Sequence, residues 1–262
     1  MSDITRRDIL QASTIAAGAT ALAQLPLASR AAEVAVQDVQ RLKVVVVGGH
    51  PDDPESGCGG TISRYADLGH EVVAVYLTRG EAGMPGTSHD EAAKLRSAEA
   101  EKACEIMKAR PGFAGQIDGS AEVTNQRYAE FIQLLHGEEP DVVFTHWPID
   151  AHRDHRAASL LTYDAWIQSG LTFALYYYEV LTGEQSHNFH PTDYVDITPT
   201  KSRKDDAIMA HKSQGPEWIL KHHDQMDRFR GFECGCDFAE GFVRQMQSRS
   251  VELPAKGMVS DN

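Results

Sequence analysis

No segment of this 262-residue chain is rich in lysine or arginine, and 25 basic residues face 38 acidic ones. A protein that grips a nucleic-acid backbone needs a basic stripe to neutralise phosphates, so the charge balance argues against nucleic acid as a partner. The four cysteines, Cys58, Cys104, Cys234 and Cys236, match no zinc-finger spacing, because Cys-Gly-Cys is tighter than the usual two-residue gap and has no partner pair. They are read as free or structural thiols, with a disulfide permitted only outside the cytoplasm. Internal repeats, low-complexity tracts and a mature transmembrane segment are missing too. What is present, at 42% hydrophobic residues, is an ordinary globular composition with enough apolar material for a proper core.

The N-terminus stands apart. Thr5-Arg6-Arg7-Asp8-Ile9-Leu10 has a twin-arginine pattern, followed by small and apolar residues from Ala12 to Ala23, with no charge between Asp8 and Arg30. Ser29 and Ala31 supply the small residues of a cleavage point after Ala31. This resembles a twin-arginine export signal, a route that carries folded proteins and suits one that acquires a metal first. The expectation is a signal over residues 1–31 and a single exported, periplasmic or extracytoplasmic domain over 32–262, frayed beyond about residue 250.

Past the signal, apolar runs alternate with helical patterns, as in an α/β fold with a mostly parallel sheet and crossover helices. Leu42 to Gly48 is a valine run suited to a strand buried on both faces. The pattern then predicts a helix over Gly59 to Leu68, a strand over Glu71 to Thr78 and a glycine-rich loop over Arg79 to Thr87. Ser88 with Glu91 makes a capping box for a helix to about Ala109. A weak strand over Phe113 to Ile117, a helix over Asn125 to His136, a buried strand over Asp141 to Thr145 and a helix through Ile167 follow. Strands over Leu175 to Leu181 and Asp193 to Ile197 and a helix over Lys201 to Lys212 complete the reading. Tyr176, Tyr177 and Tyr178 read as strand residues packing on alternate faces, His222-His223-Asp224 as an exposed polar helix face, and the tail beyond Gly231 shows no pattern.

Two clusters carry chemistry. His50-Pro51-Asp52-Asp53 follows the first buried strand, and His152-Arg153-Asp154-His155 follows the strand ending near Thr145. In open α/β sheets polar side chains converge outside the carboxyl ends of strands, which places both clusters along one edge. Catalytic zinc takes three protein ligands from histidine and carboxylate. His50, one of the two aspartates and one histidine of the second cluster supply that set, leaving one aspartate as a general base and one histidine as a proton donor or oxyanion stabiliser. Asp154 can orient the free histidine.

The ordered motifs His50-Pro51-Asp52-Asp53, Gly57-Cys58-Gly59-Gly60-Thr61, Thr78-Arg79-Gly80-Glu81-Ala82-Gly83, Arg96 with Glu99 and His152-Arg153-Asp154-His155 resemble those of the PIG-L/LmbE-type zinc-dependent N-deacetylases. The similarity runs from about Lys43 to Ala158, with a weaker echo at Ala210-His211-Lys212-Ser213-Gln214. It implies a Rossmann-like fold with helices on both faces of the sheet, and hydrolysis of an N-acetyl group from an amino sugar or glycoconjugate. By motif position it implies zinc on His50, Asp53 and His155, Asp52 as base, His152 as acid or oxyanion stabiliser, and Arg96, Asp154 and His211 as substrate contacts. Two positions depart from the pattern: Pro54 precedes Glu55 where a glutamate usually follows the aspartates directly, and Arg153 stands where proline is usual.

Other readings compete. Another amidase of the same family would use the same groups. Two histidines and a carboxylate also form the facial triad of non-haem iron oxygenases, and His50-Pro51-Asp52 gives the short His-x-Asp spacing, but those enzymes are typically double-sheet β proteins. A nucleotide-binding module is disfavoured because the first strand-helix turn lacks Gly-x-Gly-x-x-Gly.

Overall fold

A computed structural model describes residues 41–254. The twin-arginine pattern, the cleavage point after Ala31 and the last eight residues of the expected frayed tail lie outside them. Seven strands form one sheet: β1 (Lys43–Gly48), β2 (Glu71–Tyr76), β3 (Arg110–Phe113), β4 (Val142–His146), β5 (Ala174–Tyr178), β6 (Asp193–Asp196) and β7 (Ala239–Arg244). Six α-helices accompany them: α1 (Asp53–Asp67), α2 (His89–Met107), α3 (Asn125–Glu138), α4 (Arg153–Gln168), α5 (Lys201–Met209) and α6 (Pro216–Cys234).

The strand order is β3-β2-β1-β4-β5-β7-β6, with β1 to β5 parallel and β7 antiparallel to both its neighbours. Winding reverses between β1 and β4, and that reversal opens a crevice at the carboxyl ends of these two strands. Alternation along β1 feeds two cores. Val44 and Val46 pack with Ile62 and Tyr65 of α1 and Met107 of α2. Val45 and Val47 pack on the other face with Phe131 of α3 and Leu161 and Trp166 of α4. The fold is therefore the expected mostly parallel α/β sheet with helices on both faces.

Several boundaries differ from the sequence reading. α1 begins at Asp53, six residues before the expected Gly59. Its glycines hid the helical pattern, and one of them is needed for packing: a Cβ on Gly60 would come 2.5 Å from Ile197. β3 lies at 110–113 rather than 113–117 and tolerates Pro111 because it is an edge strand. α6 and β7 fill the region where no pattern was legible. The predicted exposed face at His222-His223-Asp224 is corrected as well, since His223 is buried. Tyr176 and Tyr178 face one core and Tyr177 the other. All four cysteines are free thiols, Cys58 and Cys104 buried and Cys234 and Cys236 partly so. No helix among the described residues is long and apolar enough to cross a membrane.

Candidate metal centre

β1 ends at Gly48 and the chain turns through His50 into α1, with Asp52 at the N-cap. The Asp52 backbone has φ 107° and ψ −23°, a left-handed conformation in which a non-glycine residue is strained by about 1–3 kcal/mol. Glu55 holds it there. Its Oε2 accepts from the Asp52 amide at 3.2 Å, and its Oε1 accepts from the Tyr76 hydroxyl at 2.6 Å. Pro54 sits in the first turn of α1, where its missing N–H costs nothing. The departure from the family pattern thus leaves a glutamate at the position that caps this turn.

Asp53 lies at the centre of the cluster. Its Oδ2 accepts from the His50 amide at 2.7 Å and stands 3.2 Å from His50 Nδ1 and 3.3 Å from His146 Nε2. Its Oδ1 is 3.3 Å from His155 Nε2. Burial alone would raise its carboxyl, but His155 and His146 outweigh burial and hold it well below the usual range. His50 Nε2 in turn meets Asp118 Oδ1 at 3.1 Å and Asp154 Oδ2 at 3.3 Å. Against a burial cost that lowers it, Asp118, Asp154 and Asp53 raise the His50 pKa well above its ordinary value.

The second cluster opens α4. His152 is the N-cap and its Nδ1 accepts from the Asp154 amide at 3.3 Å, while the exposed Arg153 starts the helix. The His152 ring centroid is 4.6 Å from those of both His50 and His155. Burial and the neighbouring His50 lower its pKa, which favours the neutral imidazole. His155 Nδ1 is 3.2 Å from Asp150 Oδ1, and that carboxylate also accepts from the His152 amide at 2.7 Å.

Asp52 takes no part in this web. Its side chain is 17% exposed, enough to face the cavity, and Arg96 Nη2 lies 3.3 Å from its Oδ2. Burial pushes the Asp52 carboxyl up to about 6, against the pull of Arg96. Arg96 is buried and also donates to the carbonyls of Pro51 at 2.6 Å and Gly80 at 3.2 Å. Glu99, three residues on, accepts from the Ser213 hydroxyl at 2.6 Å.

A cavity of about 350 Å³ lies over these groups, its wall including His50, Asp52, Asp53, Arg96, His152 and His155. The fold thus unites the two clusters. The other two expected substrate contacts, Asp154 and His211, are buried and do not line that cavity. The Asp154 carboxylate is buried against His50, its Oδ2 also accepting from the Gly119 amide at 2.6 Å, so Asp154 meets the free histidine through its backbone amide rather than its side chain. His211 is buried with Nε2 3.2 Å from Glu55 Oε1.

The donor chemistry fits a divalent metal that takes imidazole nitrogen and carboxylate oxygen. Three overlapping triplets have ligand atoms within 4.8 Å of one another: His50 with His152 and His155, Asp53 with His146 and His155, and His50 with Asp118 and Asp154. The expected trio of His50, Asp53 and His155 is divided between the first two of these, which share His155. Asp154 Oδ1 is a buried acceptor without a hydrogen-bond partner, and Nδ1 of His146, whose Nε2 accepts from the Gly49 amide at 3.0 Å, is a buried nitrogen without one.

Sequence reasoning missed His146, Asp118, Asp150 and His223. His146 ends a buried strand at the sheet's carboxyl edge, a signal that could have found it. Asp118 lies in a loop without periodicity and carried none.

A family model described as PIG-L, GlcNAc-PI de-N-acetylase, matches residues 45–166, which hold both clusters. The diacetylchitobiose deacetylase of Thermococcus kodakarensis is 30% identical over 195 residues, covering 68% of this chain and 73% of that protein. The structure of the N,N'-diacetylchitobiose deacetylase of Pyrococcus horikoshii, 26% identical, aligns with a TM-score of 0.69 over 79% of this chain and 84% of its own. GalB, the 4-carboxy-2-hydroxymuconate hydratase of Pseudomonas putida KT2440, aligns with a TM-score of 0.72 over 80% of this chain and 98% of its own. At 22% identity that last likeness shows the fold alone. The mostly parallel sheet also removes the ground for an iron-oxygenase reading.

Proposed function

This chain belongs to the PIG-L family of GlcNAc-PI de-N-acetylases, and we propose that it hydrolyses the acetamide of an N-acetyl amino sugar or glycoconjugate, giving a free amine and acetate. The observation that carries this reading is the pair of adjacent aspartates with opposite surroundings: Asp53 is enclosed by imidazoles while Asp52 is aimed at the cavity beside Arg96.

His50, Asp53 and His155 would hold zinc, which supplies Lewis acidity to a carbonyl and brings the pKa of water to about 7. Asp52 takes the proton of the attacking water, its carboxyl raised by burial towards the neutral range where a general base works well. His152 stabilises the developing oxyanion through a ring N–H or, once it has taken up a proton, gives it to the departing amine. Arg96 fixes the Asp52 carboxylate, the Pro51 carbonyl and the loop carrying Gly80 in one arrangement.

The same reading includes export through residues 1–31, a mature single domain from residue 32 and action outside the cytoplasm. The motif Thr5-Arg6-Arg7 and the uncharged run after it support this. Mass spectrometry of protein recovered from the periplasmic fraction should find a mature N-terminus at Ala32; intact protein confined to the cytoplasm contradicts export. For the activity, acetate release is measured from a panel of N-acetyl sugars with apo and zinc-loaded protein. Zinc-dependent release from at least one supports the reading, and none from any overturns it.

A further inference from the structure

α6 passes into β7 through a short turn that carries two thiols the proposed hydrolysis does not use. Cys234 is the last residue of α6, Gly235 follows it, and Cys236 comes next. Their sulfurs stand 3.4 Å apart, and both side chains are half-buried rather than sealed in a core. The other two thiols are placed differently. Cys58 is fully buried in α1, and Cys104 is fully buried in α2 with its sulfur 3.3 Å from the Tyr76 hydroxyl.

The backbone brings the two sulfurs together. Gly235 has φ +81°, the left-handed cap that ends a helix and turns the chain back on it. Its amide and that of Cys236 both donate to the Gly231 carbonyl, at 2.8 and 3.0 Å, which ties the turn to the end of α6. Close packing fixes it further, since a Cβ on Gly231 would fall 2.7 Å from the carbonyl oxygens of Cys236 and Asp237. Bond formation then needs the sulfurs to approach by roughly 1.4 Å, which small side-chain rotations supply.

Closure leaves little unsatisfied. Cys236 Sγ donates to the Phe238 carbonyl at 3.3 Å, and that donor is lost on oxidation. The carbonyl keeps the Ile197 amide at 3.0 Å and the Thr198 hydroxyl at 3.4 Å. Burial and the bond to Cys234 push the Cys236 thiol up to about 12, which leaves Cys234 to attack first. A ring closed across one glycine is small and strained, and strained disulfides are the readily reduced ones.

We propose that Cys234 and Cys236 form a redox-active pair, closing by exchange with a small-molecule disulfide and reopening with a dithiol, while Cys58 and Cys104 stay reduced. The Cys234 thiolate attacks one sulfur of the donor and releases its first thiol. The Cys236 sulfur, losing its proton, attacks the Cys234 sulfur of that mixed disulfide and releases the second. Two protein thiols are oxidised, one donor disulfide is reduced, and both protons end on the released thiols. The bond locks the joint between α6, whose His223 lines a cavity beside Asp52 and Asp53, and β7, whose Glu240 accepts from the Gly60 and Thr61 amides of α1. None of this depends on the metal or on the deacetylase reading. The proposed export would bring the pair to a compartment where such bonds persist.

The test treats the folded, full-length chain with oxidised glutathione, unfolds it in iodoacetamide to block the remaining thiols, and maps the result by mass spectrometry. Trypsin cuts after Arg230 and Arg244, so both cysteines leave in one peptide. That peptide should be unblocked and lighter by about 2 Da than its reduced form, with Cys58 and Cys104 blocked. Dithiothreitol should restore two blockable thiols. Cys236→Ser should halt at a glutathione adduct on Cys234, and Cys234→Ser should leave Cys236 largely unmodified. The proposal is overturned by wild type in which both thiols remain blockable after the oxidant, or in which a glutathione adduct persists without closure. A bond to Cys58, to Cys104 or to a second copy overturns it too, as does a closed bond that dithiothreitol fails to open.

Discussion

His155 is clamped between two carboxylates: its Nδ1 lies 3.2 Å from Asp150 Oδ1 and its Nε2 3.3 Å from Asp53 Oδ1. Asp150 is itself fixed by the Ser186 hydroxyl, 3.1 Å from Oδ2, and by the His152 amide. A carboxylate on the far nitrogen of a ligating imidazole sets its tautomer and raises its basicity. Asp150→Asn keeps the shape and removes the charge. It should weaken zinc affinity by about 10–100-fold, read by competition with a chelator, with little change in the thermal melt. Unchanged affinity would remove Asp150 from the centre's support.

Gly80 is tied to Arg96 by space as well as by a hydrogen bond. Its φ is +70°, and a Cβ there would fall 2.2 Å from Arg96 Nη1. Gly80→Ala should push the guanidinium off Asp52, and a displacement on the order of 1 Å can cost about a hundredfold in rate. Steady-state kinetics should show a large loss of kcat/KM with zinc content unchanged. Full activity would mean that the position of Arg96 does not matter.

Lys204 anchors the C-terminal part of the fold to α1. Its Nζ is buried 2.7 Å from Asp227 and 2.8 Å from Glu240, and Glu240 also accepts from the Gly60 and Thr61 amides at 2.9 and 2.8 Å. Lys204→Met removes the only cation in reach of Glu240 among the described ion pairs and leaves Asp227 the more distant Lys201 at 3.6 Å, a change that costs about 3–5 kcal/mol. Urea unfolding should show that loss, and adding Asp227→Asn should recover part of it. A loss below about 1 kcal/mol would contradict the account.

The chain as far as α4 declared itself because its signals are local. Valine runs, the Ser88 cap and the two histidine clusters are each complete within about ten residues, and a parallel sheet brings strand ends together without further instruction. The site's second layer was less legible. Asp118 reaches His50 from a loop, and Asp150 reaches His155 through a bend fixed by Ser186, so both depend on tertiary placement alone. Asp154 misled for a related reason: it sits between the histidines in sequence but faces His50 in space. α6 escaped notice because its polar residues His223, Asp227 and Arg230 are buried in cavity walls and ion pairs rather than lying on an exposed face.

His70 gives a pH dependence of stability far from the metal centre. Its Nδ1 accepts the Leu42 amide at 3.1 Å, which requires an unprotonated nitrogen, and burial followed by the charge of Arg41 lowers its pKa below the ordinary 6.5. A depressed histidine favours the folded state above about pH 6.5, and that contribution is lost as pH falls through the folded pKa. The stability gap between wild type and His70→Ala should therefore be larger at about pH 7.5 than at about pH 5 in urea titrations. A gap that widens on acidification would reverse the assigned sign.

The division of labour between the adjacent aspartates and the second histidine cluster is tested most directly by metal content and acetate release in Asp52→Asn and His155→Ala, side by side. Asp52→Asn should retain zinc and lose turnover by about 10²–10⁴-fold, the usual scale of a general base. His155→Ala should lose zinc and activity together. Equal zinc content with equal activity in the two variants would contradict the account.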